Sequence, residues 1–149
     1  METRAKRTAE PDVVTAIQQL VRAVHAGGVE PRLLQLVHLR TSQINGCSPC
    51  VVAGVEGAKP HGETDTRLHA VAAWRETPYF TDEERAALAL AEAATRVQDG
   101  AAGVTDGIRE AAAAHFTEEQ MGTLVLEVAL TNFFNRINRA NRVRAGAGW

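Results

Sequence analysis

Cysteine is scarce in this chain: there are two among 149 residues, Cys47 and Cys50. A disulfide scaffold needs more of them, spaced further apart, in an oxidising compartment. A four-ligand zinc site needs two further ligands, and no second Cys-x-x-Cys or His-x-x-x-His supplies them. Aromatic residues are also few, at 5%, so the core is expected to be built from small aliphatic side chains. Long apolar runs are absent, and none approaches the roughly 18 residues a membrane span needs. The first ten residues mix Arg4, Lys6 and Arg7 with Glu2 and Glu10 and hold no apolar stretch that could act as a signal peptide. Neither charge dominates: 16 basic against 18 acidic residues give a net charge of −2. That balance offers no general attraction for nucleic acid or an anionic membrane. The expectation is a cytoplasmic protein with neither as a partner.

What the chain does have is helix-forming sequence. It carries 26 Ala, the best helix former, and few consecutive β-branched residues. The expectation is one all-α domain over 1–149, with 1–10 and 146–149 flexible. Val13, Val14, Ile17, Leu20, Val21 and Val24 make one helical stripe from Pro11 to Gly27-Gly28. Pro31 opens a second helix to about Gln43, stopped by Asn45-Gly46. A short third helix starts near Ser48, with Pro49 in its first turn where the missing N–H does no harm. A loop at Lys59-Pro60-His61-Gly62 precedes a fourth helix over Thr64–Arg75. Thr81 with Glu84 caps a fifth helix through about Val97. After a loop at 98–103, a sixth helix runs from Thr105 to about His115. Thr117 with Gln120 caps a long seventh helix through about Arg142. Six to seven helices with short connections form a bundle. The seventh is apolar around much of its circumference, as expected of a face shared with another subunit.

Cys47-Ser48-Pro49-Cys50 follows a helix stop, which places both sulfurs near the start of the third helix. The dipole there favours the thiolate, the reactive form of cysteine. Two intervening residues on a first helical turn keep the sulfurs within disulfide reach, so the pair can cycle between dithiol and disulfide. The helical flanks argue against a thioredoxin-like setting, because that fold needs strands around the motif. Redox or thiolate chemistry is the best reading of the pair, and it calls for neither metal nor cofactor. The dipole alone favours Cys47, nearer the helix start, as the more acidic thiol.

The flanks carry a resemblance. The run Leu39-Arg40-Thr41-Ser42-Gln43-Ile44-Asn45-Gly46-Cys47-Ser48-Pro49-Cys50, then Gly62-Glu63, then 68–93, with Asn132 and Asn135-Arg136 in the last helix, resembles the alkylhydroperoxidase D-like branch of the carboxymuconolactone decarboxylase family. The resemblance spans roughly residues 30–145. It implies an all-helical subunit assembling into trimers or hexamers, and a thiol peroxidase acting on a small-molecule hydroperoxide. It further implies that Cys50 attacks the peroxide and becomes a sulfenic acid. Cys47 then resolves it as a disulfide, which an external thiol reductant reopens. The family also uses a proton relay, with a glutamate twelve residues before the first cysteine and a histidine four after the second. Here those positions hold Gln35, which accepts no proton at neutral pH, and Gly54, which has no side chain.

His38, one turn beyond Gln35, is a candidate replacement base, and His61 and His69 flank the next loop and helix as further candidates. Each also reads as an ordinary exposed or hydrogen-bonded histidine. Asn132, Asn135, Asn138 and Asn141 recur every three residues beside Arg136, Arg139 and Arg142, and read as a solvated or subunit-contacting face. Arg40, Trp74 and Tyr79 read as structural. Two other functions fit the same residues. One is a divergent enzyme on this scaffold, a lactone decarboxylase or isomerase or an enzyme of specialised metabolism, with a pocket enlarged at Gly54. The other is a non-catalytic thiol sensor.

Overall fold

The computed structural model describes residues 10–100 and 102–146. Among them lie seven α-helices and no extended strand: α1 Pro11–His25, α2 Pro31–Asn45, α3 Ser48–Ala58, α4 Asp65–Ala70, α5 Asp82–Thr95, α6 Asp106–Ala113 and α7 Glu118–Ala140. The expected flexible ends fall almost wholly outside the described residues. No described helix is long and apolar enough to cross a membrane.

Local signals set most boundaries. Pro11 and Pro31 open α1 and α2, and Gly46, at φ 64°, closes α2 in the left-handed conformation that a residue with a Cβ adopts poorly. Both expected capping boxes form, Thr81 with Glu84 and Thr117 with Gln120. The expected fourth helix over Thr64–Arg75 is not continuous. α4 ends at Ala70, and a 3₁₀ turn over Val71–Glu76 contains Ala73 at φ −124°, ψ 33°. This break accompanies an inward-turned Trp74, whose Nε1–H donates to buried Glu92 at 2.9 Å. The expected loop at Lys59–His61 is likewise a 3₁₀ turn. α5 and α7 each stop two residues short of the expected Val97 and Arg142, and Arg142 turns left-handed at φ 53°.

α2 is the central helix and is buried on two sides. Leu33, Leu34 and Val37 pack with Ala87, Leu90 and Ala91 of α5, Ala112 of α6, and Met121, Leu124 and Val128 of α7. Leu36 and Leu39 face the other way, against Ala58, Leu68, Val71, Trp74, Phe80 and Leu88. Each fully buried Leu contributes roughly 1.5–3 kcal/mol, so this helix has little freedom to shift. Glu92 fastens it to α5 by accepting from Arg40 Nε at 2.7 Å, while Arg75 and Arg96 also reach the carboxylate. Arg40 and Trp74 are therefore structural, as the sequence suggested. α1 buries only Val24, and Val13, Val14 and Leu20 on α1 stay exposed together with Val125, Leu126 and Phe133 on α7.

Candidate functional site

The site begins where α2 ends. Gly46 turns the chain, Cys47 N–H donates to Ser42 carbonyl oxygen at 3.1 Å, and Cys47 caps α3. Cys50 is the third residue of α3, and the Cα atoms of Cys47 and Cys50 are 5.3 Å apart with their sulfurs joined in a disulfide. Cys47 is fully buried and Cys50 is 4% exposed.

Two helices press on this pair. From α7, Asn138 brings Nδ2 to 3.3 Å from Cys50 Sγ and 3.8 Å from Cys47 Sγ. The expected solvated row of asparagines is corrected here, since Asn135 and Asn138 are buried. Asn45 Nδ2 donates to Asn132 Oδ1 and to Asn135 Oδ1, each at 2.9 Å, and Asn135 Nδ2 donates to Ser42 Oγ at 3.2 Å. α7 meets α2 there, and buried amides satisfy one another in place of water. Only Asn141, past the helix end, is exposed. The three-residue spacing was visible in the sequence, but the side it faces depends on how α7 packs.

From α2, His38 Nε2 lies 3.1 Å from the Cys50 carbonyl oxygen and Nδ1 lies 3.2 Å from Thr131 Oγ1. A carbonyl only accepts, so Nε2 carries the proton and donates, and Nδ1 accepts from the Thr131 hydroxyl. Burial lowers the His38 pKa, the bond to Cys50 opposes that, and the nearby charge of His25 lowers it further. The imidazole is thus a neutral group held against the backbone of Cys50.

Its ring also fills the space at Gly54. A Cβ there would meet His38 Cδ2 at 3.0 Å and the Leu39 Cα at 3.3 Å. One turn on, a Cβ at Gly57 would lie 2.7 Å from Gln35 Oε1. Gln35 and His38, three apart on α2, therefore lie along a side-chain-free face of α3. The His38 imidazole, delivered by α2, thus lies against α3 at position 54.

His61 and His69 are exposed, and neither shares a hydrogen bond or ion pair with the described cysteines. One turn before Thr131, Glu127 is buried; His25 Nε2 lies 3.5 Å from its Oε2, which has no hydrogen-bond partner among the described residues. Burial raises the Glu127 pKa to about 7. Sequence reading singled out neither Thr131 nor Glu127, because nothing in a helical stripe marks a polar residue that faces inward. A groove of about 220 Å³ between α5 and α7 is lined in part by Thr95, Val128, Asn132 and Arg136.

A helical bundle whose central helix passes through a left-handed glycine into a bonded Cys-x-x-Cys at the next helix start defines the class. The chain belongs to the carboxymuconolactone decarboxylase family, which matches it over residues 11–93. It is 30% identical over 137 residues to YdfG, an uncharacterised protein of Bacillus subtilis (strain 168), covering 92% of each. It is 36% identical over 118 residues to YnjA, an uncharacterised protein of Escherichia coli (strain K12), covering 78% of this chain and 63% of that one. Among solved structures, ATU0492 of Agrobacterium tumefaciens is a protein of unknown function described as a candidate antioxidant defence protein, AhpD. It superposes with a TM-score of 0.85 at 30% identity, over 93% of this chain and 94% of its own. The debrominase Bmp8 shares the fold, with a TM-score of 0.80 at 22% identity over 92% of this chain and 73% of its own.

Proposed function

We propose that this protein is a thiol-dependent hydroperoxide reductase of the alkylhydroperoxidase D-like type. The observation that carries the reading is the bonded Cys47–Cys50 pair at the start of α3. The candidate antioxidant role described for ATU0492, a relative alike over nearly its whole length, supports it. Cys50 attacks the peroxide O–O bond, releasing an alcohol and becoming a sulfenic acid. The Cys47 thiol displaces water from that sulfenic acid and forms the disulfide. An external dithiol in a reducing cytoplasm then reopens it by exchange and is itself oxidised. The exposure that Cys50 retains and Cys47 lacks favours Cys50 as the attacking sulfur. In this scheme His38 positions the start of α3 through the Cys50 carbonyl, Gln35 packs near its far end at Gly57, and His61 and His69 take no part. The apolar faces left open on α1 and α7 support assembly as a trimer or hexamer.

A divergent activity on this scaffold, such as a lactone decarboxylase or isomerase, would use a pocket enlarged at Gly54. The His38 ring and Leu39 occupy that space, which weighs against it. A non-catalytic thiol sensor differs in lacking turnover. Cumene hydroperoxide consumption with dithiothreitol as reductant separates the readings. Wild type turns over, Cys50→Ser is inactive, and Cys47→Ser performs one turnover and accumulates a sulfenic acid that dimedone traps. A Cys50→Ser variant matching wild type overturns the proposal, and a disulfide that forms and reopens without peroxide turnover supports the sensor.

A further inference from the structure

We infer that Asn138 is a catalytic residue of the cysteine pair, its amide N–H holding the Cys50 thiolate and its carbonyl oxygen taking the S–H of Cys47 once the disulfide is reduced. The inference deepens the proposed function and rests on Cys50 being the attacking thiol.

Asn138 is 4% exposed, and its Nδ2 approaches both sulfurs, Cys50 more closely at 3.3 Å against 3.8 Å. Its Oδ1 is buried with no hydrogen-bond partner among the described residues. Its own carbonyl accepts from Val143 N–H at 2.9 Å where the chain leaves α7, so the residue is fixed from behind. A buried amide oxygen without a donor is a destabilising feature of the oxidised form. A disulfide has no S–H to offer it. A dithiol does.

Reduction takes two electrons and two protons from an external dithiol, which becomes a disulfide; the Cys47–Cys50 bond breaks and both sulfurs are protonated. Cys50 then loses its proton to solvent, and its thiolate accepts the charge-assisted bond from Nδ2. Cys47 keeps its proton and donates it to Oδ1. The two ends of one amide thereby treat the two sulfurs differently, lowering the Cys50 pKa below that of Cys47. The reduced form gains a bond the oxidised form lacks, so the couple becomes more oxidising. His38 on α2, neutral, is bonded to the Cys50 carbonyl, and Ala145 N–H donates to Ser48 Oγ, which brings the segment carrying Arg144 to the start of α3.

Two measurements on the full chain test this. The pH dependence of iodoacetamide alkylation gives the Cys50 pKa in a Cys47→Ser background, and equilibration with dithiothreitol gives the disulfide's redox position with both cysteines present. Asn138→Leu keeps the volume and removes both polar ends; Asn138→Asp keeps acceptors and adds a negative charge; Asn138→Ser is the smaller variant if the others fold poorly by circular dichroism. Expected in Asn138→Leu is a Cys50 pKa higher by about one to two. The equilibrium should also move about tenfold towards the disulfide, about 30 mV. Asn138→Asp should raise the pKa further. Folded variants with unchanged Cys50 pKa and redox position overturn the inference, as does an equal shift at Cys47 in a Cys50→Ser background. A shifted Cys50 pKa in a protein that consumes no peroxide supports the inference and overturns the peroxidase reading alone.

Discussion

His38 and Gly54 share one volume: the imidazole ring of His38 lies where a side chain at position 54 would begin, with Cδ2 3.0 Å from an ideal Cβ. The ring is held at both nitrogens, by the Cys50 carbonyl and the Thr131 hydroxyl, and cannot swing away without breaking two hydrogen bonds. Gly54→His alone therefore overpacks the α2–α3 contact, with an expected loss of about 1–3 kcal/mol by urea denaturation. Adding His38→Ala clears the space and recovers most of that loss. A triple variant, Gln35→Glu/His38→Ala/Gly54→His, rebuilds the family's relay and should raise peroxide consumption by at least about 10²-fold. No gain in the folded triple variant would show that the relay is not what limits the reaction here.

Glu127 is a buried acid whose pKa burial lifts from the ordinary 4.5 to about 7. Its folded-state pKa lies above the unfolded one, so its full stability is present below pH 4.5 and is lost as pH rises through about 7. The whole loss is up to about 3 kcal/mol. Glu127→Gln, with no proton to lose, should be more stable than wild type at pH 8. It should also lack the decline between pH 4.5 and 7. Parallel stability curves for the two proteins would contradict this.

Glu92 has the opposite sign. Burial alone would raise its pKa, but hydrogen bonds from Arg75, Arg40 and Trp74 outweigh burial and hold it at about 2. Its contribution is present above pH 4.5 and lost as pH falls through about 2. Glu92→Gln leaves Arg40 without its carboxylate partner, and the expected destabilisation is about 3 kcal/mol or more at pH 7. The difference from wild type should fade in acid, a trend that thermal unfolding at several pH values checks.

Leu126 and Phe133 are exposed on α7 at 51% and 42%. If copies of the chain cover them, Leu126→Asp/Phe133→Asp should convert the assembly to monomers in sedimentation velocity while the helical signal persists. A wild-type monomer would remove the oligomer from the proposed function.

Much of the fold was legible in the sequence because its signals are local. Pro11, Pro31, Gly46 and the two capping boxes act within one helical turn, and each gave a boundary that folding keeps. The fourth helix was misread for a nonlocal reason. Trp74 breaks the helical path to reach Glu92, eighteen residues away, and no residue near Ala73 announces that. The asparagines of α7 were misread similarly. Their spacing was plain, yet polar residues at helical intervals look the same whether they face water or a buried partner with matching donors and acceptors.

The sequence by itself determined the helical class, the two sulfurs at a helix start, and the presence of Gln35 and Gly54 at positions 35 and 54. Those are matters of residue identity and short-range geometry. Tertiary structure alone decided that α2 lays His38 over Gly54, that α7 aims Asn138 at the sulfurs, and that Glu127 is buried beside His25. Each depends on the angle and depth at which helices far apart in the chain pack. That packing is fixed by the apolar faces of α2, whose leucines must fill two cores at once.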